Sequence, residues 1–402
     1  MGCRVALGDV CSFYRGASVP LTRMYDKGAY LYIHYGDLYK GFDLHIDVED
    51  PAKPIPYILN NEKIKDSQRL RDQDIVYVLT SETVDDLGHA YLFNNPKEKP
   101  TISGTETTIV RVNRRDLVVP AYLNYLMSSP RFIRELRQYT RGMKVFRVHP
   151  KDVARIEIDL PQTEVQHQIV SILDAIYAKQ QANSKLNDYL AELIDTLFCE
   201  LVLGALDLSN TVQFSSFLSE RKEKCLSRTN PEYSVTDTGI HPRDSKFHKK
   251  LSAATSKNKI LRKDDLVFGI SRKILNWGLF EDEIGEVSSA YRVYSIRLLP
   301  PEYVARYIAH YQHAFTDIIK PSSREGQGIM PDALMAKTIP VLDEEAWNRY
   351  VQAVESIKEQ IRIVTDESDA LAELREALLP KLMSGEIDVS KVDLTQLNNH
   401  LA

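Results

Sequence analysis

The sequence predicts an α+β protein in which one mixed α/β domain and one long helix occur twice, as a pseudo-two-fold repeat. Three observations lead to this prediction: an internal repeat, short β-type runs in each copy, and a long heptad-patterned segment that closes each copy. The repeat is far longer than a solenoid unit, so it indicates two copies of a whole domain. A chain of 402 residues is long enough for both copies.

The repeat is clearest at the end of each copy, where Gly385 lies 181 positions after Gly204. Pro150 and Pro331 have the same spacing. Two pairs of segments correspond in sequence: Ala191–Gly204 with Ala372–Gly385, and Leu70–Tyr77 (LRDQDIVY) with Leu261–Phe268 (LRKDDLVF). The matched order of these segments predicts two domains of the same fold.

Each copy begins with short runs of β-branched and aromatic residues between polar turns, a pattern typical of strands. The predicted strands are 29–35, 75–79 and 107–112 in copy one, and 266–268 and 291–296 in copy two. A helix follows in each copy: about 120–127, continuing through 131–138, and about 301–319.

Two long helices, about 165–201 and about 346–382, give the strongest local signal. Apolar residues fall at heptad-like spacing: Ile169, Ile172, Ile176, Leu186, Leu190, Leu193 and Leu197 in the first, and Tyr350, Ile357, Val364, Leu371, Leu374 and Leu378 in the second. Lys179, Asn183, Gln360 and Glu367 interrupt the seams with polar side chains. The helices could lie on separate cores, but their matched length and heptad phase favour packing on each other.

The charge distribution is uneven along the chain. The net charge is −5, yet residues 164–204 carry −4 and residues 343–388 carry −7, which leaves +6 for the rest. Two acidic helical segments therefore mask two mildly basic domains. Because binding follows the local field, the negative total does not exclude nucleic acid as a partner.

Several classes of protein are disfavoured. No run of about 18 apolar residues predicts a membrane span. The four cysteines show no CxxC pair or zinc-ligand spacing, and with no export signal they are interpreted as reduced thiols in the cytoplasm. The adenine-methyltransferase motif Asn/Asp-Pro-Pro-Tyr/Phe and the GxxxxGK[ST] phosphate loop are missing. Glu220-Arg-Lys222 imitates the end of a nuclease motif but lacks a convincing acidic partner upstream.

An ordered series of segments resembles one family of DNA-binding proteins. In copy one the series is Leu7-Gly-Asp-Val10, Thr101-Ile-Ser-Gly-Thr105, Tyr122–Met127, Gly142-Met-Lys-Val-Phe-Arg147 and Val153–Pro161, followed by Gln166–Leu173; copy two closes with Leu374–Ile387. The series and its duplication resemble the specificity subunits of type I restriction-modification enzymes. The entry to the second helix, Val341–Trp347, departs most from the family pattern.

The resemblance implies target recognition domains at 1–161 and 205–341, spacer helices at 162–204 and 342–388, and a tail at 389–402. It implies that the helices form an antiparallel coiled coil between the domains, and that each domain reads one half of a split, asymmetric site in double-stranded DNA. Two methyltransferase subunits would dock on the helices, and motor-nuclease subunits would join them. The chain itself would bind no cofactor, because S-adenosylmethionine, ATP and Mg would sit on the partners.

Basic residues cluster between 131 and 155 in copy one. Arg134, Arg137 and Arg141 could share one helical face that contacts phosphates, if the helix extends so far. The loop after Tyr139 carries Lys144 and Arg147, and Arg15 beside Gly16 is placed in a turn as a further contact. A solvated helix face without function is the alternative reading.

In copy two, residues 243–263 form a basic, polar stretch that is predicted to be a loop entering a DNA groove. Its proposed DNA contacts are Lys246, Lys249 and Lys250. Arg272 and Lys273 follow a predicted strand. Because arginine commonly reads guanine, and asparagine or glutamine adenine, Arg272, Asn276, Arg324 and Gln327 are predicted base contacts.

Two other functions stay open at this stage. A coiled-coil scaffold that binds only proteins would explain the helices, although not the basic loops. A divergent nuclease or methyltransferase acting alone would need an active site assembled from scattered residues, which motif absence does not exclude.

Overall fold

The computed structural model describes residues 2–38, 42–60, 62–225, 230–243, 258–271, 273–320 and 328–392. The chain divides into two units. Unit 1 comprises Met1–Asn187 with Arg362–Ala402, and unit 2 comprises Asp188–Ile361. Each unit takes in part of both long helices, so the units divide within those helices. The domain boundaries inferred from the resemblance stay predictions.

Unit 1 begins with thirteen strands and five short helices in its described part. The strands are β1 Cys3–Ala6, β2 Cys11–Arg15, β3 Tyr30–Ile33, β4 His45–Asp47, β5 Tyr57–Ile58, β6 Arg69–Leu70, β7 Ile75–Val78, β8 Thr80–Ser81, β9 Ala90–Asn94, β10 Thr101–Ser103, β11 Thr107–Val112, β12 Phe146–Arg147 and β13 Glu157–Leu160. The helices are α1 Leu7–Val10, α2 Tyr35–Leu38, α3 Pro120–Met127, α4 Pro130–Arg137 and α5 Pro150–Val153.

The centre of unit 1 is a five-stranded sheet in the order β2-β11-β7-β9-β4, in which the β4–β9 pair is parallel and the other pairs are antiparallel. All four residues of β7 are buried, because this strand has covered faces on both sides. A second, four-stranded sheet of unit 1 has the order β5-β3-β10-β6. The three strands predicted in copy one are confirmed as β3, β7 and β11.

The predicted helix over 120–138 is two helices. α3 ends at Met127, and the hydroxyl of Ser129 accepts a hydrogen bond from the backbone N–H of Phe132, which caps α4. Pro130 occupies the first turn of α4, where a missing N–H costs nothing. The Ser-Ser-Pro sequence therefore ends one helix and starts the next.

Unit 2 has ten strands and three short helices before its second long helix, within the described residues. The strands are β14 Thr211–Gln213, β15 Leu218–Glu220, β16 Tyr233–Thr236, β17 Gly239–Pro242, β18 Lys259–Arg262, β19 Asp265–Phe268, β20 Trp277–Leu279, β21 Ile284–Val287, β22 Arg292–Ile296 and β23 Thr338–Pro340. The helices are α7 Phe214–Phe217, α8 Pro301–His310 and α9 Pro331–Met335. The long helices are α6 Thr163–Leu197 and α10 Glu344–Ser384.

The central sheet of unit 2 has the order β15-β22-β19-β20, which matches the β2-β11-β7-β9 portion of unit 1. Its predicted strands are confirmed as β19 and β22. The predicted helix at 301–319 keeps α-helical geometry to His310 and then tightens into a 3₁₀ turn at Gln312–Ile318. Prolines begin α3 and α8, and α5 and α9, at the spacing of 181 seen in the sequence.

A buried carboxylate occupies the same place in both central sheets. Asp74 and Asp265 are each 1% exposed, and each accepts the backbone N–H of the residue three positions earlier. The residue before each aspartate has a left-handed backbone, with φ of 66° at Gln73 and 67° at Asp264. The duplicated sequence therefore specifies a duplicated turn, and the α+β repeat predicted from the sequence is confirmed.

The two long helices run antiparallel where they pair in unit 1. The Asn183 side-chain amide donates to Glu367 Oε2 at 2.7 Å, Gln180 Nε2 donates to the carbonyl of Ser368, and Asn187 Nδ2 donates to Thr365 Oγ1. Residue numbers rise on α6 as they fall on α10. In unit 2 the pairing is aromatic, with the Phe198 and Tyr350 rings 5.7 Å apart.

Three leucines assigned to the seams are not in them. Leu186, Leu193 and Leu374 are 43%, 44% and 43% exposed. On α6 the adjacent residues Asn187 and Ile194 take the seam positions. On α10 Arg375, next to Leu374, pairs with Asp43 of the globular part. The true seam is polar near its middle, so a search for leucines shifted the pattern onto the neighbouring face.

Candidate nucleic-acid interface

The basic segment of unit 1 ends in a tight hairpin at residues 141–147. Arg141 and Arg147 exchange two backbone hydrogen bonds of 2.9 and 2.8 Å. Gly142 has a φ of +116°, and a Cβ there would lie 2.0 Å from the carbonyl oxygen of Val145. The turn therefore requires glycine, and it presents a run of exposed side chains between the two arginines.

The structure corrects one feature of the predicted basic face. α4 ends at Arg137, so Arg134 and Arg137 are helical, whereas Arg141 belongs to the hairpin. The helix stops because the chain must turn at Tyr139 and Thr140 to pair Arg141 with Arg147. A single helical face carrying all three arginines does not form.

The cations of this region differ in how they are neutralised. Arg137 pairs with Asp85 at 3.2 Å, and Arg141 with Asp152 at 3.1 Å. Within the described part of the chain, Arg134, Lys144 and Arg147 have no carboxylate at ion-pair distance, and all three are exposed. Asp152 is buried, so Arg141 would leave a buried carboxylate if it turned to a phosphate. The three cations without a partner can turn to a phosphate without breaking a pair.

Arg15 ends β2 rather than lying in a turn, and its side chain is exposed. It pairs across the sheet with Thr108. The following Gly16 passes so close to Gly104 that a Cβ would lie 1.7 Å from its carbonyl oxygen. This close approach fixes the strand end from which the Arg15 side chain leaves the sheet.

Unit 2 places its described site residues in the loop between β19 and β20. The Asn276 side-chain amide donates to the Ile270 carbonyl at 2.8 Å, and its backbone N–H donates to Ser271 Oγ at 2.9 Å. Asn276 thus closes the loop on itself. Lys273 and Ile274 are exposed at the tip. Six predicted contacts lie outside the described residues: Lys246, Lys249, Lys250, Arg272, Arg324 and Gln327.

A groove of about 490 Å³ lies beside α4 in unit 1, between that helix, β13 and the end of α10. Its lining mixes cations with carboxylates, among them Arg131, Arg134, Glu135 and Asp159. Such a balanced lining does not favour an anionic ligand. Arg134 belongs to this lining, whereas Lys144 and Arg147 lie on the hairpin outside it.

Sequence reasoning missed a partly buried polar cluster that joins the globular part of unit 1 to both long helices. The Tyr125 hydroxyl donates to Asp174 at 2.6 Å, the His45 ring lies 4.5 Å from that of Tyr177, and Arg375 pairs with Asp43 at 2.7 Å. Burial lowers the pKa of His45 and outweighs the opposing charges of Asp174 and Asp43. Burial, with Asp174 nearby, raises the pKa of Tyr125. These residues are scattered in sequence, so no local pattern could have grouped them.

The described residues give no support to a metal site or a membrane segment. No group of three or more His, Cys, Asp or Glu side chains among them is placed to hold a metal ion. Glu220, from the nuclease-like triplet, pairs instead with Arg292 at 2.7 Å. None of the helices in the described part is both long and apolar enough to cross a bilayer.

Residues 4–191 match the family model of the type I restriction modification DNA specificity domain. No curated protein matches the chain. A solved structure described as the basis of complex assembly and conformational transition of the type I R-M system is similar, with a TM-score of 0.51, 16% identity, and coverage of 96% of this chain and 98% of that one.

Two further solved structures cover nearly the whole chain. The S subunit of a type I restriction-modification system from M. genitalium aligns with a TM-score of 0.48, 11% identity and coverage of 95% and 96%. The HsdS subunit from Thermoanaerobacter tengcongensis aligns with a TM-score of 0.36, 16% identity and coverage of 96% and 97%. The family match confirms the resemblance seen in the sequence.

Proposed function

Because the chain is a DNA specificity subunit of the type I restriction-modification family, we propose that each unit reads one half of a two-part, asymmetric DNA site. One observation supports this division above the others. The two units share a central sheet and a buried aspartate, but their exposed basic residues lie in different places: Lys144 and Arg147 of unit 1 are on the 141–147 hairpin, whereas Lys273 of unit 2 is in the loop between β19 and β20. Two related scaffolds with different reading edges suit two different half-sites.

Affinity and sequence preference would come from different side chains. Lys144, Arg147 and Arg134 suit phosphates, which supply affinity and salt dependence but no sequence information. Arg15 and Lys273 leave strand or loop ends where base edges could be reached. Asn276 holds its loop in shape in the free chain, so its amide would read a base only after giving up the hydrogen bond to Ile270.

The long helices would serve as spacer and docking site. Polar contacts at Asn183 and Gln180 suit the fixing of helix register, and hence of the gap between half-sites. Tyr189 and Leu193 leave apolar surface exposed on α6 within unit 2, which suits a protein partner. We infer that two methyltransferase subunits dock on the helices and that motor-nuclease subunits join them in the cytoplasm.

Chemistry would belong to those partners. The chain would bind neither S-adenosylmethionine, ATP nor Mg, and methylation would fall on adenine within the site. Incubation of the purified chain with DNA, magnesium and S-adenosylmethionine should therefore give no cleavage and no methyl transfer. Turnover by the chain alone would overturn this assignment.

Selection from random double-stranded DNA tests the reading function directly. The purified full chain should enrich two short sequences separated by a fixed unread gap, and binding should weaken steeply as salt rises. Replacement of residues 1–161 by the corresponding domain of another family member should change one half-site and leave the other intact. Enrichment of no sequence would favour a protein-binding scaffold, and a change in both halves would contradict separate reading.

A further inference from the structure

Met143 is the most exposed large apolar side chain in the described part of the chain, at 94%. A single exposed apolar residue is ordinary on a protein surface and implies nothing alone. Here, however, it stands at the tip of the 141–147 hairpin, next to Lys144 and to Val145, which is 39% exposed. Arg141 and Arg147 flank the same turn.

The hairpin is firmly held at its base. Phe146 and Arg147 pair with β8, and the backbone N–H of Val148, which is buried, donates to the Leu79 carbonyl at 2.9 Å. The left-handed Gly142 and the paired Arg141 and Arg147 leave the turn little conformational freedom. A stiff turn loses little entropy on binding, so its tip can enter a narrow space at low cost.

The surrounding charge indicates what that space is. Between residues 141 and 155 the chain carries Arg141, Lys144, Arg147, Lys151 and Arg155, against Asp152 as the one acid. An apolar tip surrounded by cations fits a polyanion with an apolar interior. Stacked base pairs between two phosphate backbones have this character, and minor-groove proteins insert methionine and similar side chains between base steps.

We propose that Met143 is a wedge that inserts at one base step of the half-site read by unit 1, while Lys144 and Arg147 hold the flanking phosphates. The inference rests on the proposed function and extends it to the mode of reading. Pyrimidine–purine steps unstack most easily, so the wedge selects such a step without any hydrogen bond to a base edge. Part of the recognition by unit 1 is therefore indirect.

The test uses the full chain and duplexes that carry the selected site, with 2-aminopurine placed at each position of the unit 1 half-site in turn. Wild-type protein should raise the fluorescence at one step, because that base loses its stacking partner. Met143→Ala should abolish the rise and weaken binding by about 10-fold, the loss expected when one buried apolar side chain is removed. Met143→Leu should retain the rise, because an apolar wedge remains.

Lys144→Ala is the matched control on the same turn. It should lower the slope of log affinity against log salt by about 0.9, the loss of one phosphate contact, and keep the fluorescence rise. Met143→Ala should leave that slope unchanged. The two variants therefore separate the wedge from the phosphate contact.

Three results would overturn the wedge, and they differ from failure of the proposed function. Sequence-specific binding with no fluorescence rise at any step excludes insertion, while the reading function stands. A Met143→Ala protein that binds DNA and unstacks the base as the wild type does also excludes insertion. If Met143→Ala binds DNA normally but loses association with a methyltransferase subunit, the tip is a protein contact. If wild-type protein prefers no sequence, the proposed function itself fails.

Discussion

The two central sheets hold the same buried aspartate but obtain the neutralising arginine from different strands. In unit 1 the guanidinium of Arg111, in β11, donates to Asp74 at 2.8 and 2.6 Å. In unit 2 Arg221, directly after β15, donates to Asp265 at 2.7 and 2.9 Å. The position on β22 that faces Asp265, as Arg111 would face Asp74, is Ser295.

This comparison separates what the repeat preserves from what it allows to change. The aspartate is preserved because it closes the left-handed turn before β7 and β19, and no apolar residue could accept those backbone N–H groups. The arginine can move to the next strand because a guanidinium reaches the same carboxylate from either neighbour. The exposed loops carry no such constraint, so the two units can diverge there, as the proposed reading of two different half-sites requires.

Removal of either aspartate should give the largest effect. Asp74→Ala and Asp265→Ala each leave a largely buried arginine and one backbone N–H donor without their acceptor, so each should lower the free energy of unfolding by about 3 kcal/mol. Both tryptophans, Trp277 and Trp347, belong to unit 2. Denaturant unfolding followed by tryptophan fluorescence should therefore report Asp265→Ala more strongly than Asp74→Ala.

Asp264→Asn is the control for these variants. Asp264 is exposed and left-handed, and asparagine tolerates that backbone, so the substitution should be nearly neutral. If Asp74→Ala shifted the tryptophan transition as far as Asp265→Ala, the two units would unfold as one. The interpretation of the two units as independently folding domains would then be wrong.

The repeat, the main strands and the long helices were predictable because each rests on local pattern. Ser129 and Pro130 also indicate a helix boundary, and the prediction of a helix that continues from 120 to 138 did not use them. The seam was misassigned because its middle is polar, and hydrophobic periodicity fails where Asn187 takes the place of a leucine. The His45 cluster and the Asp74–Arg111 pair were out of reach, because they join residues distant in sequence.

The polar middle of the helix pair offers a second, smaller test of how the two units differ. Unit 1 pairs its helices through Asn183 and Glu367, whereas unit 2 uses Phe198 and Tyr350. Asn183→Leu should raise the free energy of unfolding by about 1 kcal/mol, because polar seam residues cost stability, and should loosen the helix register. The register can be measured with the cysteine pair Asn187→Cys and Thr365→Cys, which replaces two residues in contact across the helix pair. Its disulfide should form less completely in the Asn183→Leu protein than in the otherwise wild-type chain.

Leu186→Asn provides the matched control for the seam. Leu186 is exposed beside the true seam, so its replacement should leave both stability and disulfide yield unchanged. A loss of stability in Leu186→Asn would restore the leucine seam predicted from the sequence. An unchanged disulfide yield in Asn183→Leu would show that apolar contacts alone fix the register.

The smallest expected effect is a difference in pH response between the units. In unit 1, burial lowers the pKa of His45, so the folded state favours the neutral ring. The stability that this ring contributes is fully present above about pH 6.5 and is lost as the pH falls below that value. In unit 2, burial raises the pKa of Glu302, but hydrogen bonds from Lys358 and Arg306 outweigh it and the pKa is lowered overall. Stability from Glu302 is therefore lost only in more acidic solution.

Hydrogen exchange of full-length protein at about pH 7 and about pH 5, corrected for the intrinsic exchange rate, resolves this difference. Protection of α3 and the start of α6 should fall at the lower pH, while α8 and the start of α10 keep theirs. His45→Gln should reduce the fall without removing it, since burial lowers the pKa of His89 in the same unit as well. His313→Gln, an exposed site in unit 2, should change nothing. His45 belongs to unit 1 alone. An equal loss of protection in both units would therefore show that the contacts around His45 do not cause the pH response.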